Sequence, residues 1–402
     1  MKNLFDIITS GHRRVLLLQG PIGPFFRNLG EDLIQAGAIV HKINFNGGDW
    51  LFYPTRAIHY RQSLAEWPGY LEQFLAKNQI DLILLFGDCR PVHVAARTVA
   101  TQAGVEVGVF EEGYVRPHYI TLERYGVNAH STLPRDPTYY FQATPVELPQ
   151  VTPVARPFFH AMVWGMLYHV AGAVLAPVFP GYEHHRDLGL SDSVSWLRSF
   201  WRKWLYALQE RGIQDRLTGE WAQRYFLVPL QLGNDAQIHS HSRFNNLQEF
   251  IEEVMRSFAS HAPSDTLLVI KQHPLARGGA RHSPLIEGLA RELGISERVL
   301  YIHDQHLPAL LDHARGVVVV NSTVGLSAIH QGVPLKNLGE AVYDMPDLTY
   351  QGELRDFWRQ PGKPLGKLYQ SFYNHVVQTT QINGNFYRRL PTHHYKSGVH
   401  WE

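Results

Sequence analysis

The sequence predicts an α/β protein of two doubly wound, Rossmann-like halves facing across a cleft. Three observations predict it. Apolar runs of strand length recur, ending in polar or glycine residues, at 14–19, 81–86 and 105–110 and again at 225–230, 266–271 and 317–320. Amphipathic stretches of helical length lie between them, which is the alternation of a parallel sheet. A chain of 402 residues is also too long for one ordinary core.

The first half opens with a strand at 14–19 and the turn Gly20-Pro21-Ile22-Gly23-Pro24. A helix at 25–36 follows, with Phe26, Leu29, Leu33 and Ile34 on one face, and Gly37 leads into a strand at 38–45. The turn is not G-x-G-x-x-G, so a dinucleotide fingerprint is absent. A helix at 64–78, a strand at 81–86, a helix at 95–103 and a strand at 105–110 continue the pattern. A polar, proline-bearing stretch at 133–157 closes a first domain of residues 1–156. The second nucleotide-binding-like domain covers 221–344. Its strands are placed at 225–230, 266–271, 299–302 and 317–320, with helices at 247–261, 284–293, 308–314 and 324–331. Residues 345–402 read as a helical tail packing back on the first domain.

Between the domains, at 157–220, lies an apolar and then basic-aromatic helical segment. Residues 157–182 run for 26 positions without Asp, Glu, Lys or Arg, long enough to cross a bilayer. Pro177, Pro180, His160 and His169 oppose a span, whereas Trp164, Tyr168, Phe158 and Phe179 suit a headgroup boundary. Spanning helix, lipid-contacting helix and buried core all remain open readings. The stretch that follows sets Arg198, Arg202 and Lys203 among Trp196, Trp201 and Trp204. That composition suits an anionic membrane surface or an ordinary packed helix.

Composition excludes several classes. The chain is 45% hydrophobic and 18% charged, a folded rather than disordered balance, and a net charge of +1 supplies no field for nucleic acid. Cys89 is the only cysteine, which rules out an intrachain disulfide and a cysteine-built metal site. No signal peptide is recognisable in residues 1–20, so a cytoplasmic protein is expected.

Chemistry gathers at the strand ends, where open α/β sheets bind ligands. Residues 317–339 read VVVVNSTVGLSAIHQGVPLKNLG, placing Asn321, Ser322 and Thr323 between a buried strand and the start of a helix, a setting that suits phosphate or a plain helix cap. The strand at 266–271 ends in Lys271, Gln272 and His273. Glu111, Glu112, Gly113 and Arg116 follow the strand at 105–110, where a desolvated carboxylate gains a raised pKa and acid/base use. Gln231 and Asp235 follow the strand at 225–230, giving a second carboxylate at the matching place; paired carboxylates are what glycosyl chemistry needs. His239 and His241 with Asp235 have ligand chemistry, but no HExxH or cysteine spacing supports a metal, and none is expected.

Taken together, the stretches QLGNDAQI, KQHP, EEGYVRP and NSTVGLSAIHQGVPLKNLG resemble the capsule polysaccharide biosynthesis/export family, in its KpsS/LipB-type β-Kdo (3-deoxy-manno-octulosonic acid) transferases. The matching motifs span roughly residues 14 to 340. The resemblance implies two Rossmann-like domains in the GT-B arrangement and retaining transfer of Kdo from CMP-Kdo to a lysophosphatidylglycerol-type acceptor at the cytoplasmic membrane face. That step starts the linker of a capsular polysaccharide. By the same resemblance Asp235 is the nucleophile and Glu112 the acid/base. Gln231, Lys271, Gln272, His273, Asn321, Ser322 and Thr323 hold the nucleotide sugar. Gly20, Gly23, Gly113 and Arg116 are candidate substrate contacts. No cofactor beyond the donor is implied; other capsule assembly components are the implied partners. Gly233-Asn234 stands before Asp235 where relatives are expected to carry Glu-Gly or Glu-Asp. The competing readings are a non-catalytic export scaffold and another CMP-sugar transferase of the sialyl type or a related nucleotide-sugar enzyme.

Overall fold

The computed structural model describes residues 14–142, 147–155, 157–182, 202, 204–232, 238, 241–276, 282–390 and 395–401. They form two units. The first takes Met1–Leu133, Pro145–Asp187 and Asn374–Glu402; the second takes Pro134–Thr144 and Leu188–Tyr373.

In the first unit, β1 (Arg14–Leu17), β2 (Ile39–Asn44), β3 (Ile58–His59), β4 (Leu82–Phe86) and β5 (Glu106–Glu112) are parallel, and β6 (Tyr119–Arg124) runs antiparallel to β5. In the second, β7 (Tyr225–Pro229), β8 (Leu267–Lys271), β9 (Val299–Ile302), β10 (Gly316–Val319) and β11 (Leu335–Asn337) are all parallel. Late in the chain β12 (Gln381–Asn383) returns to the first sheet and pairs antiparallel with β6. The sheet orders are β12-β6-β5-β4-β1-β2-β3 and β11-β10-β7-β8-β9. Strand order reverses between β1 and β4 in one and between β7 and β10 in the other, the crevices where doubly wound sheets bind ligands.

The alternation of a strand explains both faces of the first sheet. Val15, Leu17, Leu82 and Leu84 pack with Phe25, Phe26 and Leu29, and the tail residues Ile382, Phe386, Val399 and Trp401 cover the same face. Leu16, Leu18, Ile83 and Leu85 point the other way, onto Trp67, Leu71 and Ala96. The helix Leu247–His261 covers the second sheet, begun by Asn246 accepting from the Glu249 backbone N–H at 3.0 Å.

Several boundaries differ from the sequence-based reading. The second unit continues past 344 to Tyr373, because Phe357 and Trp358 are fully buried beside Phe226 and Phe258. The Trp358 and Phe226 rings meet edge-on at 4.9 Å. The tail is not wholly helical, since β12 extends the first sheet after the helix Gly366–Thr380. The strand β6 has no counterpart in the sequence-based elements, although its YITLER is rich in strand-forming residues.

The apolar segment resolves into the helix Phe158–Val174 and a 3-10 turn, Ala176–Val178. It packs on the helix Gly47–Phe52, where a Cβ on Gly47 would strike the Ala171 carbonyl and one on Gly48 the Tyr168 ring. Its helix is not core: only Gly165 and Tyr168 of it are buried, while Phe159 is 66% and Val174 70% exposed. No helix among the described residues is long and apolar enough to cross a membrane. Of the basic-aromatic stretch, Arg198 and Lys203 lie outside the described residues; Trp204 and Leu208 are exposed.

Candidate functional site

At the ligand end of the first sheet β5 runs two residues further than the sequence suggests, so Glu111 and Glu112 belong to the strand and pair with Thr121 and Ile120. Adjacent strand residues face opposite sides of a sheet, and the two carboxylates have different surroundings. Glu112 shares the face of Phe110 and accepts a hydrogen bond from the Tyr387 hydroxyl at 3.0 Å. Burial and the Glu112 charge push the Tyr387 phenol well above its ordinary range, so it remains a donor. Glu111 lies by Gly87. Burial pushes its carboxyl up to about 7, against the backbone N–H of Glu112, with the charges of Glu112 and Asp88 adding to the rise. A carboxyl poised there exchanges protons at neutral pH.

Asp88, fully buried after β4, accepts from the Val127 N–H at 3.1 Å and meets His130 Nδ1 at 2.9 Å and Arg97 at 3.5 Å. Cys89 is half-buried, with its thiol donating to Asp88 at 3.3 Å. Gly113 has a structural cause, since a Cβ would strike the Tyr119 carbonyl. Arg116 is exposed and donates to the Gly113 carbonyl at 3.3 Å. Gly20 lies against the Phe26 ring, and Gly23, at φ +114°, lies against Trp164.

In the second unit Gln231 and Asn321 close the crevice between β7 and β10. Gln231 Nε2 donates to Asn321 Oδ1 at 3.0 Å, and the Asn321 N–H donates back to Gln231 Oε1 at 3.3 Å. Ser322 Oγ accepts from the Val324 N–H at 3.2 Å, and the Ser322 carbonyl accepts from Tyr343 at 2.5 Å. The helix after Thr323 is only Val324–His330, so its dipole is small and the side chains matter more. Lys271 is buried with its ammonium donating to the His303 carbonyl at 3.0 Å. Gln272 donates to the Ala276 carbonyl at 3.2 Å, while its buried Oε1 has no partner among the described residues. His273 is half-buried at the same strand end. Asp235, Gly233, Asn234 and His239 lie outside the described residues.

Two of the assemblies that sequence reading missed stand out. Tyr387 reaches Glu112 from 275 residues away, with no local pattern to announce it. In the second unit Glu210 is buried and accepts from His303 Nδ1 at 2.6 Å, the His303 N–H at 2.8 Å and Gln305 Nε2 at 2.9 Å. Tyr206 stacks on the His303 ring at 3.7 Å. The one available signal was His303 directly after the strand at 299–302.

A family model described as capsule polysaccharide biosynthesis protein matches residues 81–387. The Escherichia coli capsule polysaccharide export protein KpsS is 42% identical over 387 residues, covering 96% of this chain and 99% of the relative. This chain belongs to the capsule polysaccharide biosynthesis family. The capsule polysaccharide modification protein LipB of Neisseria meningitidis serogroup A is 36% identical over 399 residues, 97% of this chain and 95% of that one. Among solved structures, Thermosulfurimonas dismutans KpsC, a beta Kdo 2,7 transferase, aligns over 85% of this chain and 91% of its own with 15% identity and a TM-score of 0.42. In this capsule family member the described motif residues occupy strand ends of two α/β units.

Proposed function

We propose that this chain is a retaining glycosyltransferase that moves Kdo from CMP-Kdo to a lysophosphatidylglycerol-type lipid at the cytoplasmic face of the membrane, starting the linker of a capsular polysaccharide. The observation that carries the reading is the differentiated carboxylate pair at the end of β5. Glu112 is held by Tyr387, and Glu111 beside it is tuned to about 7. The donor half is supported by the amide, imidazole and hydroxyl groups at the ends of β7, β8 and β10, which suit a phosphate and a carboxylate.

In the reaction, an Asp235 oxygen attacks the anomeric carbon as the bond to the CMP phosphate breaks, giving a Kdo–Asp235 ester and free CMP. Ser322, Thr323 and His273 stabilise the departing phosphate. The acceptor hydroxyl then attacks the same carbon, Glu112 takes its proton, and the Asp235 carboxylate is released. Two displacements leave the configuration retained. Exposed Phe159 and Val174 on the helix Phe158–Val174 give the protein an apolar surface with which to sit peripherally at the membrane.

The test is a donor panel with lysophosphatidylglycerol, read by mass spectrometry. CMP-Kdo should yield a lipid heavier by one Kdo residue and free CMP. A product from CMP-sialic acid alone would move the chain to the sialyl class, and CMP-Kdo left intact would point to the scaffold reading.

A further inference from the structure

The proposed chemistry leaves one buried carboxylate of the first unit without a role. Asp32, on the helix Phe25–Gln35, is 7% exposed. One of its oxygens accepts the Lys396 N–H at 2.6 Å and the other the Ser397 N–H at 2.8 Å. A charged acceptor thus spends both oxygens on backbone 364 and 365 positions away in sequence, and such bonds are the strong ones. They fix residues 396–397 against the helix.

The latched residues continue into the sheet that carries Glu112. Trp401 Nε1 donates to Ser397 Oγ at 3.0 Å, and the Trp401 ring meets Phe110 edge-on. The Leu390 N–H donates to the Gly398 carbonyl at 3.1 Å and the His400 N–H to the Asn383 carbonyl at 2.9 Å. From the other direction, Ile120 on β6 lies between Ile382 of β12 and Glu112 of β5. Tyr387 stands between these two anchorages. Phe386 before it packs edge-on against Phe25 at 4.9 Å and Phe86 at 5.2 Å, and its own N–H donates to Asn385 Oδ1 at 2.9 Å.

What this placement delivers is a single hydroxyl. It donates to Glu112 Oε1 at 3.0 Å, and no described residue donates to Oε2. A carboxylate with one oxygen pinned and the other open presents a lone pair in a fixed direction, which is what a general base needs. The other charges acting on the pair are Glu111 on the same strand and Arg116 in the turn that follows.

We propose that Tyr387 is the positioning residue of the acid/base site and that the Asp32 latch on Lys396 and Ser397 sets it there, making the tail a part of that site. The inference rests on Glu112 as the base of the proposed function and names what orients it.

The experiment compares full-length wild type with Tyr387→Phe, Asp32→Asn, the double variant and Glu112→Gln. Isotope-edited NMR on protein labelled at its glutamate carboxyls follows the titration of Glu112, whose signal is the one missing from Glu112→Gln. Steady-state transfer from CMP-Kdo to lysophosphatidylglycerol is measured on the same preparations. Tyr387→Phe keeps the ring and removes the hydroxyl. A donor to a carboxylate favours its ionised form, so losing it should move the Glu112 titration up by about one pH unit. The same loss should lower kcat by about tenfold with KM near wild type. Asp32→Asn puts an amide nitrogen where an acceptor is needed, and should move both readouts the same way by less. Added to Tyr387→Phe it should move neither further, because both act through one hydroxyl. A tail that only covers the core would lower stability and leave the Glu112 titration where it was. An unmoved titration in Tyr387→Phe, or a wild-type kcat despite a moved one, would overturn the proposal. A moved titration in a protein that transfers no Kdo would leave the orientation of Glu112 by Tyr387 standing and remove the transferase reading.

Discussion

Both sheets gather the carboxyl ends of their parallel strands around a reversal of strand order, β1 and β4 in the first, β7 and β10 in the second. The groups they present there are of opposite kinds. The first sheet carries Asp88, Glu111 and Glu112, one of them tuned to about 7 by burial and one held by a tyrosine from the tail. The second carries the mutually hydrogen-bonded amides Gln231 and Asn321, with Lys271, His273, Ser322 and Thr323 alongside. Carboxylates suit proton exchange with an acceptor hydroxyl, and amides, hydroxyls and cations suit holding an anionic donor. The difference teaches that one fold, used twice in a chain, can present carboxylates at one sheet end and amides, hydroxyls and cations at the other.

The largest effect expected concerns Asp235, which belongs to the second half yet is an acid. Asp235→Ala should lower transfer by at least about 10³-fold, as loss of a nucleophile does, while CMP binding and the folded state persist. Near-normal turnover would remove it from the chemistry. Next in size, Ser322→Ala combined with His273→Ala should weaken CMP binding by about tenfold to a hundredfold, as charged hydrogen bonds are lost. Unchanged affinity by calorimetry would move the nucleotide away from the second sheet.

The smallest effect sharpens the acidic side. Glu123 is 3% exposed and accepts from Tyr114 and Ser131, and burial pushes its carboxyl from 4.5 up to about 7. A raised value in the folded state means that its protonated form favours folding. That contribution is present below the ordinary carboxylate range and is lost as pH rises through about 7. Glu123→Gln should therefore gain stability relative to wild type between about pH 5 and about pH 8, on the order of 2 kcal/mol. Chemical denaturation of both proteins at each pH reads the difference, and a gap that does not widen with pH contradicts a buried, titrating Glu123.

What could be read from residue order was what local pattern determines. The buried runs of β1, β4, β7, β8 and β10 and the polar residues after them were legible, and so was the likeness of the four motifs. Tyr387 on Glu112, the Tyr168–Gln19–Asp49 network and Glu210 on His303 were not, because each joins residues 30 to 275 positions apart with no periodicity between them. The helix Phe158–Val174 shows the limit from the other side. Its composition allowed span, lipid contact or core, and only its packing on Gly47 and Gly48 makes it a surface helix.

The most direct measurement of the division between the two ends uses Glu112→Gln, with transfer from CMP-Kdo to lysophosphatidylglycerol and CMP affinity determined on the same preparation. The account predicts transfer lowered by about 10²-fold or more, the range of a lost general base, with CMP affinity unchanged. Transfer at the wild-type rate, or CMP affinity falling in step with transfer, would contradict it.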